Sequence, residues 1–124
     1  MAQVHRKLTT HQKAVLIQVL LAFPDQRVGI FYSVAAEDGQ AYAMDFMAIF
    51  KAIGWDVTGP EASAIIAGGI GGLAFVVGAD GRLPACAEAL RDALRIYEIE
   101  IGKHVETKRA VAADGFVLWV GADA

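Results

Sequence analysis

The feature that most constrains the fold is a strand–helix–strand pattern in the first half of the chain. Arg27 to Ser33 is a short run rich in β-branched and aromatic residues, which favours a buried parallel strand. Residues 40 to 53 place large apolar side chains at helical spacing, and residues 55 to 58 form a second short strand. A unit of about 30 residues has the size of a βαβ motif, whose crossover should be right-handed.

Five further elements follow from the same reasoning. Thr9 and Gln12 have the spacing of a capping box, which predicts a helix beginning there. The others are a buried strand from residue 73 to 78, a helix from Pro84 to about Tyr97, a charged edge strand from 103 to 111, and an apolar, central strand from 116 to 120.

These elements predict one α/β domain over residues 1–124, a length that suits one hydrophobic core. We expect a three-layer domain around a mostly parallel five-stranded sheet, with an extra N-terminal helix. The predicted strand order is 2-1-3-5-4, with the last strand antiparallel to its neighbours.

The composition bears on partners. The chain is 56% hydrophobic and has a mean hydropathy of +0.43. A domain this small leaves part of its apolar surface uncovered, so we expect a homo-oligomer. The net charge of −3 gives no basic field for nucleic acid or anionic lipid.

Cellular location is suggested by Cys86 and by one apolar stretch. A single cysteine forms no internal disulfide, which favours a reducing, cytoplasmic compartment. Residues 62 to 78 carry no charge, but four glycines interrupt them and they are short of the roughly 20 residues of a spanning helix. We therefore expect a connector and a buried strand there, and no membrane span.

A ligand site is predicted where the first and third strands end. Ligands of open α/β sheets bind outside the carboxyl ends of strands, where the connection direction reverses. Helix N-termini and an arginine suit a small anion. The alternative is that Asp38 and Asp80 only cap helices and that Arg82 pairs with them. The predicted ligand-binding residues are Ser33, Asp38, Gly39, Gln40, Asp80, Gly81 and Arg82.

No complete catalytic or metal-binding set is evident in the sequence. His5, His11 and His104 lack metal-ligand spacing, so no metal site and no cofactor are expected. Cys86 falls on the apolar face of its helix, as a small core residue does. Glu88 on the same helix is a lone carboxylate. We expect no catalytic residue and a non-enzymatic protein.

Two families resemble the chain. LTTHQKAVLIQVLLAF, QRVGIFYS and AYAMDFMAIFKAIGWDVTG, with the later AFVVGADGRLPACAEALRDAL and GFVLWVG, look like an uncharacterised bacterial α/β domain that is Rossmann-like or flavodoxin-like. Such domains often follow membrane helices or coiled coils, and the resemblance implies a sensory or interaction module.

The second resemblance is to TIR domains. It rests on residues 30–33 (IFYS), Asp38, residues 54–57 (GWDV) and residues 85–90 (ACAEAL). It implies an NAD-cleaving or signalling domain with Glu88 and Ser33 near the site. The primary prediction is a self-associating, non-enzymatic module that binds a small anion, and the TIR-like enzyme is the alternative.

Overall fold

The computed structural model describes residues 6–63, 71–78, 81–105 and 115–122. The helices are α1 (Thr10–Leu20), α2 (Gly39–Ala52) and α3 (Ala85–Arg95). The strands are β1 (Arg27–Ser33), β2 (Asp56–Ser63), β3 (Leu73–Val77), β4 (Ile101–Val105) and β5 (Gly115–Val120).

Helix α1 begins where the capping box predicts. The backbone N–H of Gln12 donates to Thr9 Oγ1 at 3.0 Å, and the N–H of Thr9 donates to Gln12 Oε1 at 2.9 Å. These two bonds satisfy donors that a helix start otherwise leaves without partners. The extra N-terminal helix is thus confirmed, together with its signal.

The α/β class and the mostly parallel five-stranded sheet are confirmed, but the predicted order 2-1-3-5-4 is wrong. The observed order is β2-β1-β5-β3-β4. β5 is parallel to β1 and antiparallel to β3, while β3 and β4 are parallel to each other. The sheet therefore consists of two parallel groups, β2-β1-β5 and β3-β4, which run in opposite directions.

Aromatic packing explains why β5 lies between β1 and β3. The Phe116 ring on β5 meets the Trp55 ring edge-on at 6.4 Å and the Phe75 ring on β3 edge-on at 5.3 Å. Phe116 contacts Trp55, just before β2, on one side and Phe75 in the middle of β3 on the other. The strand that carries Phe116 therefore lies between β3 and the pair formed by β1 and β2. Both candidate orders keep β3 and β5 inside the sheet, so the apolar pattern alone does not separate them.

All three described helices pack on one face of the sheet, so the described residues form two layers where three were predicted. Their buried side chains join Val28, Ile30, Phe75 and Leu118 in one core. The crossover from β1 through α2 leads to β2 at one edge of the sheet, and the crossover from β3 through α3 leads to β4 at the other edge. The strands of these two crossovers also run in opposite directions. Two right-handed crossovers of that kind place their helices on the same face, whereas the predicted order would place them on opposite faces.

The other face of the sheet has a smaller apolar cluster. Ala74, Val76 and Trp119 are buried there, next to the half-buried Phe31 and Val117. The centre of this face is thus closed to solvent. No helix within the described ranges is long and apolar enough to cross a membrane.

Strand β2 is longer than predicted. The sequence reading ends it at Thr58 because Gly59 and Pro60 follow, yet it continues to Ser63. The pairing with β1 shifts register between Gly29 and Phe31, opposite Gly59, whose φ is +92°. Glycine adopts this backbone conformation without penalty, so the chain passes the irregularity and pairing resumes.

Candidate functional site

The two ends of the sheet separate the predicted ligand-binding residues into two groups. At the Ser33 end, β1, β2 and β5 finish and β3 and β4 begin. At the Arg27 end, β1 begins and β3 finishes. The prediction that the loops after β1 and β3 share one crevice is wrong, because β5 separates these strands and β3 runs the opposite way.

Two of the predicted residues, Gly81 and Arg82, lie beyond β3 at the Arg27 end. The Gly81 carbonyl accepts a hydrogen bond of 3.2 Å from Lys103 Nζ, and its N–H closes a turn on the Gly78 carbonyl at 2.9 Å. Arg82 is exposed. The third member of this group, Asp80, lies outside the described residues.

The other four predicted residues lie at the Ser33 end. Ser33 Oγ accepts a hydrogen bond from the N–H of Ala35 at 3.1 Å, within the turn that follows β1. Gly39 is buried as the first residue of α2, and Gln40 is exposed. Asp38 is the N-cap residue of α2, but its side chain makes no capping hydrogen bond.

The carboxylate of Asp38 is bound by Arg6 instead. Arg6 Nε donates to Asp38 Oδ2 at 2.9 Å, and Nη2 donates to Oδ1 at 2.8 Å. The backbone N–H of Arg6 adds a third bond to Oδ2 at 2.7 Å. Arg6 Nη2 also donates to the Gly121 carbonyl at 2.6 Å, just beyond the end of β5. This bidentate ion pair lies at the carboxyl ends of β1 and β5.

The ion pair is largely buried, and the hydrogen bonds from Arg6 keep the Asp38 carboxylate charged there. Asp38 is 8% exposed and the Arg6 side chain 16%. The Arg6 hydrogen bonds lower the pKa of Asp38 from its ordinary value of 3.8 to about 2, against the opposing effect of burial. An ionised carboxylate accepts hydrogen bonds and donates none, so Asp38 suits a cation rather than the predicted anion.

An aromatic ring and a cavity complete this site. The Arg6 guanidinium carbon lies 5.1 Å from the centre of the buried Tyr42 ring, within the range of a cation–π contact. Beside it is an open cavity of about 260 Å³. The cavity is lined by Arg6, Tyr42, Gly72, Leu73, Glu98, Ile99 and Glu100.

Cys86 and Glu88, the other two residues weighed for catalysis, do not lie beside the Arg6–Asp38 pair. Cys86 is buried on α3; its thiol donates to Gln26 Oε1 at 3.4 Å, and burial raises the pKa of that thiol. A protonated thiol is a poor nucleophile. Glu88 is exposed in the first turn of α3, which begins at the Arg27 end, whereas Ser33 is at the opposite end. Within the described ranges, no group of His, Cys, Asp and Glu is arranged to hold a metal ion.

Sequence reasoning missed Arg6. The capping box fixes where α1 begins, and the N–H of Leu8 donates to Asp45 Oδ2 at 2.9 Å, so residues 6 to 9 are held along α2. Nothing in the local pattern joins Arg6 to an aspartate 32 residues later. The only available signal was a lone arginine just before an N-terminal helix start, which is a weak one.

Comparisons with protein-family models, with curated proteins and with solved structures find no match to this chain.

Proposed function

We propose that this protein is a non-enzymatic interaction module that associates with a second copy of itself through the outer face of α2. The observation that carries the proposal is an exposed stripe on that helix with no charged side chain. We call it the α2 stripe: Ala41, Met44, Ala48 and Ala52. The spacing of three, four and four residues places all of them on one side of the helix.

The surroundings of the α2 stripe have the arrangement of a small interface. Met44 is 44% exposed near its centre, between alanines that let another helix approach closely. Exposed Gln40 and Lys51 border it on one side. On the other side is the ion pair between Lys13 and Asp45, at 3.3 Å. An apolar centre with a polar rim is typical of protein interfaces.

A second copy is the occupant that charge and composition favour. Exposed Glu37 precedes α2 and exposed Lys51 lies in its last turn. When two α2 helices meet antiparallel about a two-fold axis, Lys51 of each copy approaches Glu37 of the other. A chain that is 56% hydrophobic also has apolar surface to cover.

The non-enzymatic part of the proposal is supported by what the described polar groups already do. Asp38 binds Arg6, Ser33 Oγ accepts from its own turn, and the Cys86 thiol is buried with a raised pKa. Each of these groups has a structural partner that explains its position. The TIR-like alternative requires Ser33 and Glu88 in one site, and they lie at opposite ends of the sheet.

The test measures molar mass by light scattering after size-exclusion chromatography at micromolar concentration. The wild type should have twice the chain mass of 13.2 kDa. Ala48→Glu places a charge in the α2 stripe and should give the mass of one chain. Ala14→Glu, at an exposed alanine of α1, is the matched control and should keep the larger mass. Glutamate is a good helix former, so both variants should fold.

Two results would overturn the proposal. One is a wild-type mass equal to a single chain, and the other is equal behaviour of Ala48→Glu and Ala14→Glu. Incubation with NAD tests the non-enzymatic part separately. Release of nicotinamide that Glu88→Ala abolishes would show an enzyme and favour the TIR-like alternative.

A further inference from the structure

We infer that the Ser33 end of the sheet has a binding site for a guanidinium group, in which Arg6 is a built-in occupant that an external ligand can replace. This inference goes beyond the proposed function and does not depend on self-association. It rests on the contacts around Asp38 and on the cavity beside them. The guanidinium site consists of the Asp38 carboxylate, the Gly121 carbonyl and the Tyr42 ring, all of which contact Arg6.

The chemistry of the guanidinium site is specific. The carboxylate takes both a side-chain Nε–H and an Nη2–H, at 2.9 and 2.8 Å, which is the fork geometry that distinguishes arginine from lysine. The Gly121 carbonyl accepts a further bond at 2.6 Å. The Tyr42 ring lies 5.1 Å from the guanidinium carbon. Two acceptors and an aromatic face together recognise a planar cation.

The guanidinium site and its occupant come from different parts of the structure. Asp38 and Tyr42 belong to the start of α2, and Gly121 follows the central strand β5. Arg6, by contrast, lies in the segment before α1 that has no helix or strand structure. The acceptors are thus fixed by the folded sheet and helix, while the guanidinium is attached through a short chain segment.

The adjoining cavity indicates which ligand fits. Its volume of about 260 Å³ exceeds what a guanidinium tip needs, and Arg6 is one of its walls. Glu98 and Glu100 line it from the segment after α3, and both are exposed. Glu100 already lies 3.6 Å from Arg95 Nε, so it is the Glu98 carboxylate that favours a second positive charge. The expected ligand class is therefore a small molecule with a guanidinium at one end and an ammonium at the other.

The experiment measures whether such a ligand replaces a deleted Arg6. Arg6→Ala empties the guanidinium site and leaves the Asp38 carboxylate without its cation. Thermal unfolding of this variant is followed with millimolar aminobutylguanidine, guanidinium chloride, butylamine or sodium chloride. The double variant Arg6→Ala/Asp38→Asn is the matched control, because it has the same space but no carboxylate.

Aminobutylguanidine should stabilise Arg6→Ala, guanidinium should do so less, and butylamine and sodium chloride should do so least. A ligand at ten times its Kd raises the folded-to-unfolded ratio about 11-fold, which corresponds to a Tm increase of roughly 4–6 °C. The double variant should not respond, and the wild type should respond less than Arg6→Ala because its own arginine competes.

Equal responses of Arg6→Ala and the double variant would overturn the inference, and so would a response to butylamine as large as that to aminobutylguanidine. If Arg6→Ala does not fold alone, the ligand should restore its folded circular dichroism spectrum, and failure to do so counts against the site. Arg6→Gln, which keeps part of the side-chain stem, provides a second variant for the same titration. None of these outcomes depends on the molar mass that tests self-association.

Discussion

At the scale of single residues, Asp38 shows how a buried charge ties a chain segment to the fold. Its carboxylate is 8% exposed and receives three hydrogen bonds from Arg6. A buried ion pair adds little compared with a well-packed apolar pair, but removing one partner leaves the other charged and without compensation. The pair should therefore matter most when it is broken.

This charge predicts a specific dependence of stability on pH. The folded pKa of Asp38 is about 2 and the ordinary value is 3.8, so between these values the unfolded chain binds more protons. The stabilisation is complete above pH 4 and is lost as the pH falls towards 2. The shift corresponds to about 2 kcal/mol. Between pH 5 and about pH 2, the free energy of unfolding of the wild type should fall by about 2 kcal/mol more than that of Asp38→Asn. Urea unfolding at each pH measures it.

Asp56→Asn is the control for that profile. Asp56 is 71% exposed, and its 3.9 Å pair with Arg27 is a surface contact of the kind that contributes little. At neutral pH, Asp38→Asn should be the less stable of the two variants. Parallel profiles for wild type and Asp38→Asn in acid would show that Asp38 is not held ionised by Arg6.

Residue-scale contacts were predictable only where sequence neighbours make them. Thr9 and Gln12 are three positions apart, and their reciprocal hydrogen bonds are as expected. Which of the predicted site residues lie together depends on which strand ends meet, and the strand order decides that. The sequence placed Asp38 among the residues of an anion site and, in the alternative, had it cap a helix and pair with Arg82. In the structure its carboxylate makes no cap and pairs with Arg6.

At the scale of elements, the local pattern predicted most of the helices and strands and failed where a strand contains an irregularity. The edge strand predicted from residue 103 to 111 is β4, which begins earlier, at Ile101; residues 106 to 111 of that prediction lie outside the described residues. The bounds of β1 agree with the prediction, because its run of β-branched and aromatic residues is uninterrupted. β2 was cut short at Gly59, since glycine followed by proline usually marks a turn. Tertiary pairing with β1 carried the strand through to Ser63.

Gly59 should be a position where alanine is poorly tolerated. Its φ is +92°, and a Cβ there would collide with the carbonyl oxygen of Ile30 on the neighbouring strand. We expect Gly59→Ala to lower the free energy of unfolding by about 2–4 kcal/mol, because strain and a backbone clash add together. Chemical denaturation measures the loss.

Gly54 provides the matched comparison for that substitution. Its φ is +81°, but a Cβ there would meet nothing within 4 Å. Gly54→Ala should therefore lower the free energy of unfolding only through backbone strain, by about 1 kcal/mol. Equal losses for the two alanine variants would mean that the contact with Ile30 does not constrain β2.

At the scale of the whole molecule, the position of β5 decides both the layers and the site. Inserting the last strand between β1 and β3 reverses the direction of β3 and β4 relative to β1. This reversal places the helices on one face and moves the loop after β3 away from the loop after β1. Local hydrophobicity identified β5 as a central strand, but a strand that is apolar on both faces satisfies burial equally well on either side of β3.

The central place of β5 leads to a prediction for local stability. β5 has a neighbour on each side, whereas β2 is at an edge of the sheet. Amide hydrogens of β5 should exchange only through global unfolding, and those of β2 through smaller local openings. Native-state hydrogen exchange by NMR in low denaturant measures both. Faster exchange in β5 than in β2 would contradict the observed strand order.

Two apolar substitutions, in β5 and β2, test the same point through the free energy of unfolding. Leu118 in β5 is fully buried, so Leu118→Ala should lower the free energy of unfolding by about 3 kcal/mol and reduce the protection of β5 and its two neighbours together. Val57 in β2 is only half-buried, and Val57→Ala should cost less than half as much. Because β5 joins two strand groups that run in opposite directions, weakening it weakens both groups. A loss of protection confined to one group after Leu118→Ala would show that the groups are held together elsewhere.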